Sequence, residues 1–281
     1  MNISIVTPTW NRAAMLRSCL DSVKSQNTPP CEHIIVDNLS TDETTGVIKD
    51  YADSVSYPVH HVREKDSGIY QAMNKGVHRV SGDALHFLND DDMLCDENVL
   101  LIMGQCLSRY HVDIAFGDVI LLSGAPLAHN YRRHRQVNRL TLVERTITQQ
   151  ALFYRRSVFD RCGVFDAHLR IAADHEWLLR AFLLHNISAA YVKRPVALFR
   201  TGGVSNDMQT REAHRLEREK VTAQYFTQRE IRAARLYRGV FRKIPFGATM
   251  LGLLIPLRLD VKNLRVGRQR FLPDPTAWFD L

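Results

Sequence analysis

The stretch "GDALHFLNDDDMLCDEN" (82–98) decides the fold. Leu85, Phe87 and Leu88 form an apolar run of strand length, and the run stops on Asp90, Asp91 and Asp92 side by side. Three adjacent carboxylates repel one another, and burying one without a partner is costly. A strand that ends on such a triplet ends where negative charge is required. A divalent cation, magnesium or manganese, is the natural reason, because hard cations take one or two protein carboxylates together with substrate phosphates. The plainer alternative is a solvated acidic turn that starts the next helix, since Asp and Asn favour N-caps.

Outward from this stretch, the first half of the chain alternates. "ISIVT" (3–7), "HIIVD" (33–37) and "VHHV" (59–62) are further short apolar runs. Between them Leu16, Leu20 and Val23, and later Ile69, Met73, Val77 and Val80, fall at helical spacing. This rhythm predicts an α/β fold, a mostly parallel central sheet flanked by helices. "DIAFGDVILL" (113–122) continues as a strand, and "ALFYRRSVFDRCGVFD" (151–166) as a strand, a short helix and a turn. "DHEWLLRAFLLHN" (174–186) is a helix, and "AYVKRPVALFR" (190–200) is expected at a sheet edge because of Pro195. "TGGVSND" (201–207) is a loop, and one charged helical stretch is expected from 207 to about 243. Ligands of an open parallel sheet bind at the carboxyl ends of its strands. "PTWNR" (8–12), Asp37 with "NLSTDET", and the Asn89–Asp92 run should therefore share one rim. No glycine precedes Gly46, so the first turn carries neither GxGxxG nor a P-loop, and phosphates would be held by metal and side chains.

The 281 residues, 45% hydrophobic and 24% charged, have room for one large α/β domain and an appendage. Five scattered cysteines with no CxxC pair suggest neither a disulfide framework nor a structural zinc site, and a reducing cytoplasm is the simplest location. No basic leader or cleavage site precedes "ISIVT", and no apolar run reaches the roughly 18–20 residues of a membrane span. The net charge of +7 is uneven: residues 207–281 hold 15 Lys+Arg and 8 Asp+Glu, leaving 22 of each sign elsewhere. "IPFGATMLGLLIPL" (244–257) lies between "REIRAARLYRGVFRK" and "RLDVKNLRVGRQR". Basic flanks around a short apolar patch suit peripheral attachment to the inner-membrane surface. The alternative is a helical appendage packing Phe246, Leu251 and Leu254 on the main domain. Sparse aromatics and the lack of a recognition motif argue against a nucleic-acid partner.

"SIVTPTWNR" and "IIVDNLSTDET" resemble the opening of the family-2 inverting glycosyltransferases, whose fold is called GT-A. "EKDSGIYQAMNKGVHRVSGDALHFLNDDD" (64–92) resembles the branch acting in bacterial surface-polysaccharide assembly. "QQALFYRRSVFDRCGVFDAHLRIAADHEWLLRA" (149–181) and "FRTGGVSN" (199–206) continue the likeness, which spans roughly 3–206. It implies a catalytic domain at 1–206, with a nucleotide-sugar half at 1–112 and an acceptor half at 113–206, and a basic helical C-terminal region at 207–281. It implies transfer from a nucleotide-diphosphate sugar to a glycan or lipid-linked acceptor.

The resemblance also implies roles. Thr7, Pro8 and Trp10 would line the base pocket, with Arg12 beside the donor. Asp37 would accept a hydrogen bond from a base N–H, or cap the following helix. The acidic run matches an Asp-x-Asp metal motif in two registers, Asn89-x-Asp91 or Asp90-x-Asp92. Asp91 takes the main metal position, Asp92 is the second candidate ligand, and Asp90 would approach the ribose. Asn74 and Lys75 would face the diphosphate or sugar, unless Lys75 is a surface lysine of an amphipathic helix. Asp66 contacts the donor or caps the helix near Gly68. Asp174 matches the catalytic base, which takes the proton from the acceptor hydroxyl, or is a helix N-cap. Glu176 cannot share its helical face. Gln150, Gly203 and Ser205 would line the acceptor or close over the donor. Two rivals remain: a nucleotidyltransferase, disfavoured by the missing glycine-rich loop, and an inactive sugar-binding or membrane-adaptor module, disfavoured by Asp91 and Asp174.

Overall fold

Every residue of β1 (Ile3–Thr9) is buried, which marks a strand covered on both faces. The computed structural model describes residues 1–122, 129–132, 137, 139–200, 208–239 and 269–271. After β1 come α1 (Ala13–Lys24), β2 (Glu32–Asp37), α2 (Thr44–Asp53), β3 (Val59–Arg63), α3 (Ile69–Val77) and β4 (Ala84–Phe87). The second half holds β5 (Met93–Leu94), α4 (Val99–Tyr110), β6 (Ile114–Leu122), β7 (His129–Arg132), α5 (Arg139–Glu144) and β8 (Leu152–Arg155). It continues with α6 (Ser157–Cys162), α7 (Ala173–Leu183), β9 (Ala189–Arg200), α8 (Met208–Tyr225), α9 (Gln228–Gly239) and β10 (Gln269–Phe271).

The described strands form one sheet in the order β10-β9-β6-β8-β4-β1-β2-β3, with β5 added to β9 and β7 to β6. β1 pairs in parallel with β2 and β4, and β2 with β3, so the first half is the α/β unit that the sequence predicts. β8 runs antiparallel to β4 and β6, and turns the second half into a mixed sheet. Side chains alternate across it. Ile35 packs with Leu16, Leu20, Val47 and Ile48 beneath α1 and α2, while its neighbours Ile34 and Val36 belong to the larger core. In that core, the rings of Tyr154, Phe159 and Phe165 gather around Trp177 of α7.

Two expectations are corrected. β9 is not an edge strand, since it pairs with β6 on one side and with β10 and β5 on the other. Pro195 fits because it stands opposite Asp118, where the register slips, and a bulge needs no ladder N–H. The single charged helix is two helices. Thr227 and Glu230 form a reciprocal cap at the break: the Thr227 N–H donates to Glu230 Oε2 (2.8 Å) and the Glu230 N–H to Thr227 Oγ1 (3.3 Å). Gly203, Ser205 and the apolar stretch 244–257 lie outside the described residues.

Gly76 lets α3 approach the sheet, because a Cβ there would stand 2.3 Å from Val6 Cγ1. Gly76→Ala is expected to cost about 1–3 kcal/mol by overpacking. Gly46→Ala meets nothing within 4 Å in α2 and is expected to raise the melting temperature slightly. Thermal melts of the two variants, moving in opposite directions, check this.

Candidate active site

The three strand ends converge as expected. Thr9 ends β1 opposite Asp37, which ends β2. The Thr9 hydroxyl donates to Asp90 Oδ2 at 2.8 Å, so Thr9 stands between Asp37 and the acidic turn. Arg12, at the head of α1, reaches the same turn. Its Nη1 lies 2.7 Å from Asp91 Oδ2 and 3.7 Å from Asp90 Oδ1. Burial pushes the Asp90 carboxyl up to about 6; the Asp91 charge adds to this, and Thr9, Arg12 and the Trp10 N–H oppose it.

Each carboxylate of the triplet has its own partners. Asp92 is fully buried, with Oδ2 accepting from Gln150 Nε2 (2.7 Å) and Oδ1 from the Arg200 N–H (3.2 Å). Burial, reinforced by Asp91, holds its carboxyl well above the usual range. Asp91 keeps part of its surface exposed.

Asp37 is fully buried. Its Oδ1 accepts the Ser40 N–H at 2.8 Å, and its Oδ2 lies 3.3 Å from His61 Nε2 and 3.5 Å from Arg63 Nε. The loops after β1 and β2 are tied together, since Asn11 Oδ1 accepts the Thr41 N–H at 2.7 Å and the Asn11 N–H donates to Ser40 Oγ at 2.8 Å. Asn11 and Leu39 both adopt positive φ, 52° and 55°, a strained conformation for leucine. Trp10, Leu39 and Ile69 are exposed apolar side chains in the segments that follow β1, β2 and β3.

Asp174 lies in the first turn of α7 and is half-buried. Tyr70, near the start of α3, donates to Asp174 Oδ1 (3.2 Å) and to the Ile171 carbonyl (2.8 Å). Burial raises the Asp174 carboxyl, against the lowering effects of the His175 N–H, Tyr70, Arg218 and His214. The last two come from α8, so the charged C-terminal region reaches this carboxylate.

A family model, Glycosyl transferase family 2, matches residues 4–175. A PGL/p-HBAD biosynthesis glycosyltransferase of Mycobacterium bovis (strain BCG / Pasteur 1173P2) is 34% identical over 213 residues, 74% of this chain and 81% of that relative. The chain belongs to glycosyltransferase family 2. Glycosyltransferase AglE of Haloferax volcanii is 27% identical over 185 residues, 64% of this chain and 60% of that protein. Among solved structures, S. aureus TarS 1-349 in complex with UDP-GlcNAc superposes with a TM-score of 0.64 at 18% identity, covering 93% of this chain and 78% of that one. Mannosyltransferase PcManGT from Pyrobaculum calidifontis, in complex with GDP-Man and Mn2+, gives 0.64 at 15% identity over 90% and 73%. These likenesses show the GT-A fold.

Within this glycosyltransferase several candidates serve the scaffold. The Thr7 hydroxyl faces away from the rim, bonded to buried His33 at 2.9 Å, whose other ring nitrogen meets Tyr51. Pro8 is buried. The Asn74 amide is taken up by Phe165, giving a hydrogen bond to its carbonyl (2.8 Å) and receiving one from its N–H (3.0 Å). Lys75 Nζ donates to the Lys65 carbonyl at 2.6 Å, and Asp66 Oδ1 accepts the Gly68 N–H at 3.1 Å, closing the turn into α3. Glu176 points away from Asp174, toward Arg180 (2.9 and 2.8 Å) and the Tyr225 hydroxyl (2.5 Å). Asp174 itself is not an N-cap, since that position is Ala172. Sequence reading missed Thr9, Tyr70, His214, Glu217 and Arg218. The last three recur at helical spacing in α8, the one signal that could have found them.

The donor set fits a hard cation. Asn89 Oδ1 is buried with no protein partner and lies two residues before Asp91. Together they supply the Asn-x-Asp register, whereas Asp92 is committed to Gln150 and Arg200. No cluster of three His, Cys, Asp or Glu side chains able to hold a metal occurs among the described residues.

The two acidic neighbours should therefore part company in a melt. Asp92→Ala strands the buried Gln150 amide and is expected to cost about 1–3 kcal/mol for it. Asp91→Ala is expected to stay within about 0.5–1 kcal/mol of wild type. A larger loss in Asp91→Ala than in Asp92→Ala would reverse this assignment.

Proposed function

We propose that this enzyme is a metal-dependent, inverting glycosyltransferase. It moves a sugar from a nucleotide-diphosphate donor to the hydroxyl of a glycan, carried on a lipid, in cell-surface polysaccharide assembly. The observation that supports this most is the division between two carboxylates: Asp91 paired with Arg12 at the strand ends, and Asp174 held by Tyr70 at the head of α7. TarS, solved with UDP-GlcNAc, and PcManGT, solved with GDP-Man and Mn2+, support a nucleotide-sugar donor. The Mycobacterium relative, named for PGL/p-HBAD biosynthesis, supports a lipid-linked acceptor.

In this mechanism Trp10 and Leu39 offer apolar surface to the base, and Asp37, held by Ser40, His61 and Arg63, sits under it. Asp91 and Asn89 would hold Mn2+ or Mg2+, which when bound neutralises negative charge on the leaving diphosphate. Arg12 places a guanidinium beside the same group. Asp174 takes the proton from the acceptor hydroxyl as its oxygen attacks the anomeric carbon opposite the diphosphate, and a single displacement inverts the configuration. Burial makes Asp174 a stronger base than an ordinary aspartate, and the His175 N–H at the helix start and Tyr70 limit that rise.

The enzyme would work in the cytoplasm, peripherally attached to the inner membrane face through residues 229–270. Among the described residues no helix is long and apolar enough to cross a membrane.

Asp174→Asn is expected to lower turnover about 10²–10⁴-fold while leaving donor binding intact, as read by kinetics and calorimetry. Full turnover in that variant would remove Asp174 from the chemistry. Because burial raises this carboxyl, activity is expected to fall as pH drops, starting at a higher pH than for an ordinary aspartate. A chelator is expected to abolish turnover and added Mn2+ to restore it. A thermal-shift panel of UDP-, GDP- and dTDP-sugars should show one donor class raising the melting temperature only with the ion.

A further inference from the structure

The segment that leads into α7, Arg170-Ile171-Ala172, comes just before the candidate base, and its N-cap residue, Ala172, makes no side-chain cap hydrogen bond. Three consecutive backbone N–H groups there point at one carboxylate from elsewhere in the chain. Glu217 of α8 accepts from the Arg170 N–H through Oε1 (2.8 Å), and from the Ile171 and Ala172 N–H groups through Oε2 (2.7 and 2.8 Å). Ala172 is the N-cap of α7 and Arg170 and Ile171 precede it, so these are the amides of the segment entering the helix; a carboxylate there makes charge-assisted hydrogen bonds and stands at the positive end of the helix dipole.

We infer that Glu217 is a positioning residue for the transfer reaction: it caps the entry to α7 from another helix and so sets where Asp174 stands. This rests on Asp174 being the base. Tyr70 holds the same segment from the opposite side, through the Ile171 carbonyl and Asp174 itself. The segment is therefore gripped by its amides from α8 and by its carbonyl from α3. The rest of the same α8 face agrees. His214, Glu217, Arg218, Val221, Thr222 and Tyr225 are turned inward at helical spacing, while residues 212, 213, 215, 216, 219 and 220 are exposed. Thr222 lies 3.4 Å from His175, the residue after Asp174. Arg218 brings positive charge to Asp174, and His214 faces the same carboxylate, its imidazole pushed down by burial against the opposing pull of Asp174 and Glu217. A base carboxylate displaced by about an ångström loses much of its rate, so the cap acts on turnover rather than on donor affinity.

The test compares Glu217→Gln, Glu217→Asp and the exposed control Glu212→Gln. Turnover is read as UDP or GDP release from UDP-GlcNAc or GDP-mannose with Mn2+, with water as acceptor. Glu217→Gln puts an amide where an acceptor is needed. It is expected to lower kcat about tenfold with donor KM within about twofold of wild type. Glu217→Asp should recover part of kcat, and Glu212→Gln all of it. Amide hydrogen exchange, which needs no substrate, should speed up at 170–174 in Glu217→Gln. Unchanged exchange there, unchanged kcat, parallel losses in kcat and donor KM, or no rescue by Asp would each overturn the inference. Asp174→Asn separates the two claims. Full turnover in Asp174→Asn with faster exchange in Glu217→Gln sinks the base and leaves the cap. An inactive Asp174→Asn with full turnover in Glu217→Gln sinks the cap alone.

Discussion

Three carboxylates in a row at the end of a buried strand repel one another, and much of the molecule is arranged around that repulsion. Each is satisfied in a different direction. Asp90 goes to Thr9 and the Trp10 N–H, Asp91 to Arg12, and Asp92 to Gln150 and the Arg200 backbone. These partners belong to β1, the head of α1, the turn before β8 and the end of β9. One electrostatic problem thus pulls together the parallel and the mixed halves of the sheet. It leaves the middle carboxylate partly exposed on the rim, with the Asn89 oxygen unpartnered nearby.

The second centre follows a different rule. Asp174 is not neutralised by an adjacent cation of its own segment. It is raised by burial and tempered by a backbone N–H, Tyr70, and Arg218 and His214 of α8. Helix α7 is pinned at its other groups as well. Trp177 donates to the Gly163 carbonyl at 2.7 Å and packs in the aromatic cluster, and Arg180 binds Glu176 and the Val164 carbonyl. A rigid helix whose first turn carries a carboxylate suits acid–base chemistry, because geometry is set before the acceptor arrives.

The C-terminal helices change meaning in this light. Their positive charge reads in the sequence as a surface for an anionic partner. In the fold, α8 turns one polar face onto α7, and α9 ties back to α5 through Arg139 and Glu230 at 2.7 Å, with Arg139 over the Phe226 ring. Charge totals carry no information about direction, and side-chain direction is what separates a clasp from a solvated face.

The strand–helix alternation, the rim shared by Asp37 and the acidic run, and the helix starting at Asp174 were legible in the residues, because apolar periodicity and strand-end position are local properties. The break at Thr227 was passed over, although its Thr-x-x-Glu cap is a local signal. Long-range polar pairing was not legible. Nothing near Asn74 in sequence shows that its amide closes on Phe165, and nothing near Asp92 shows Gln150 and Arg200. Pro195 spells an edge strand, yet a register slip opposite Asp118 lets it sit inside the sheet. The sequence by itself determined the α/β class and pointed to the carboxylates of the proposed site. Only the tertiary structure decided which of them face the rim, which brace the scaffold, and that Glu217 caps the entry to the helix of Asp174, because hydrogen-bond partners distant in the chain meet only once it has folded.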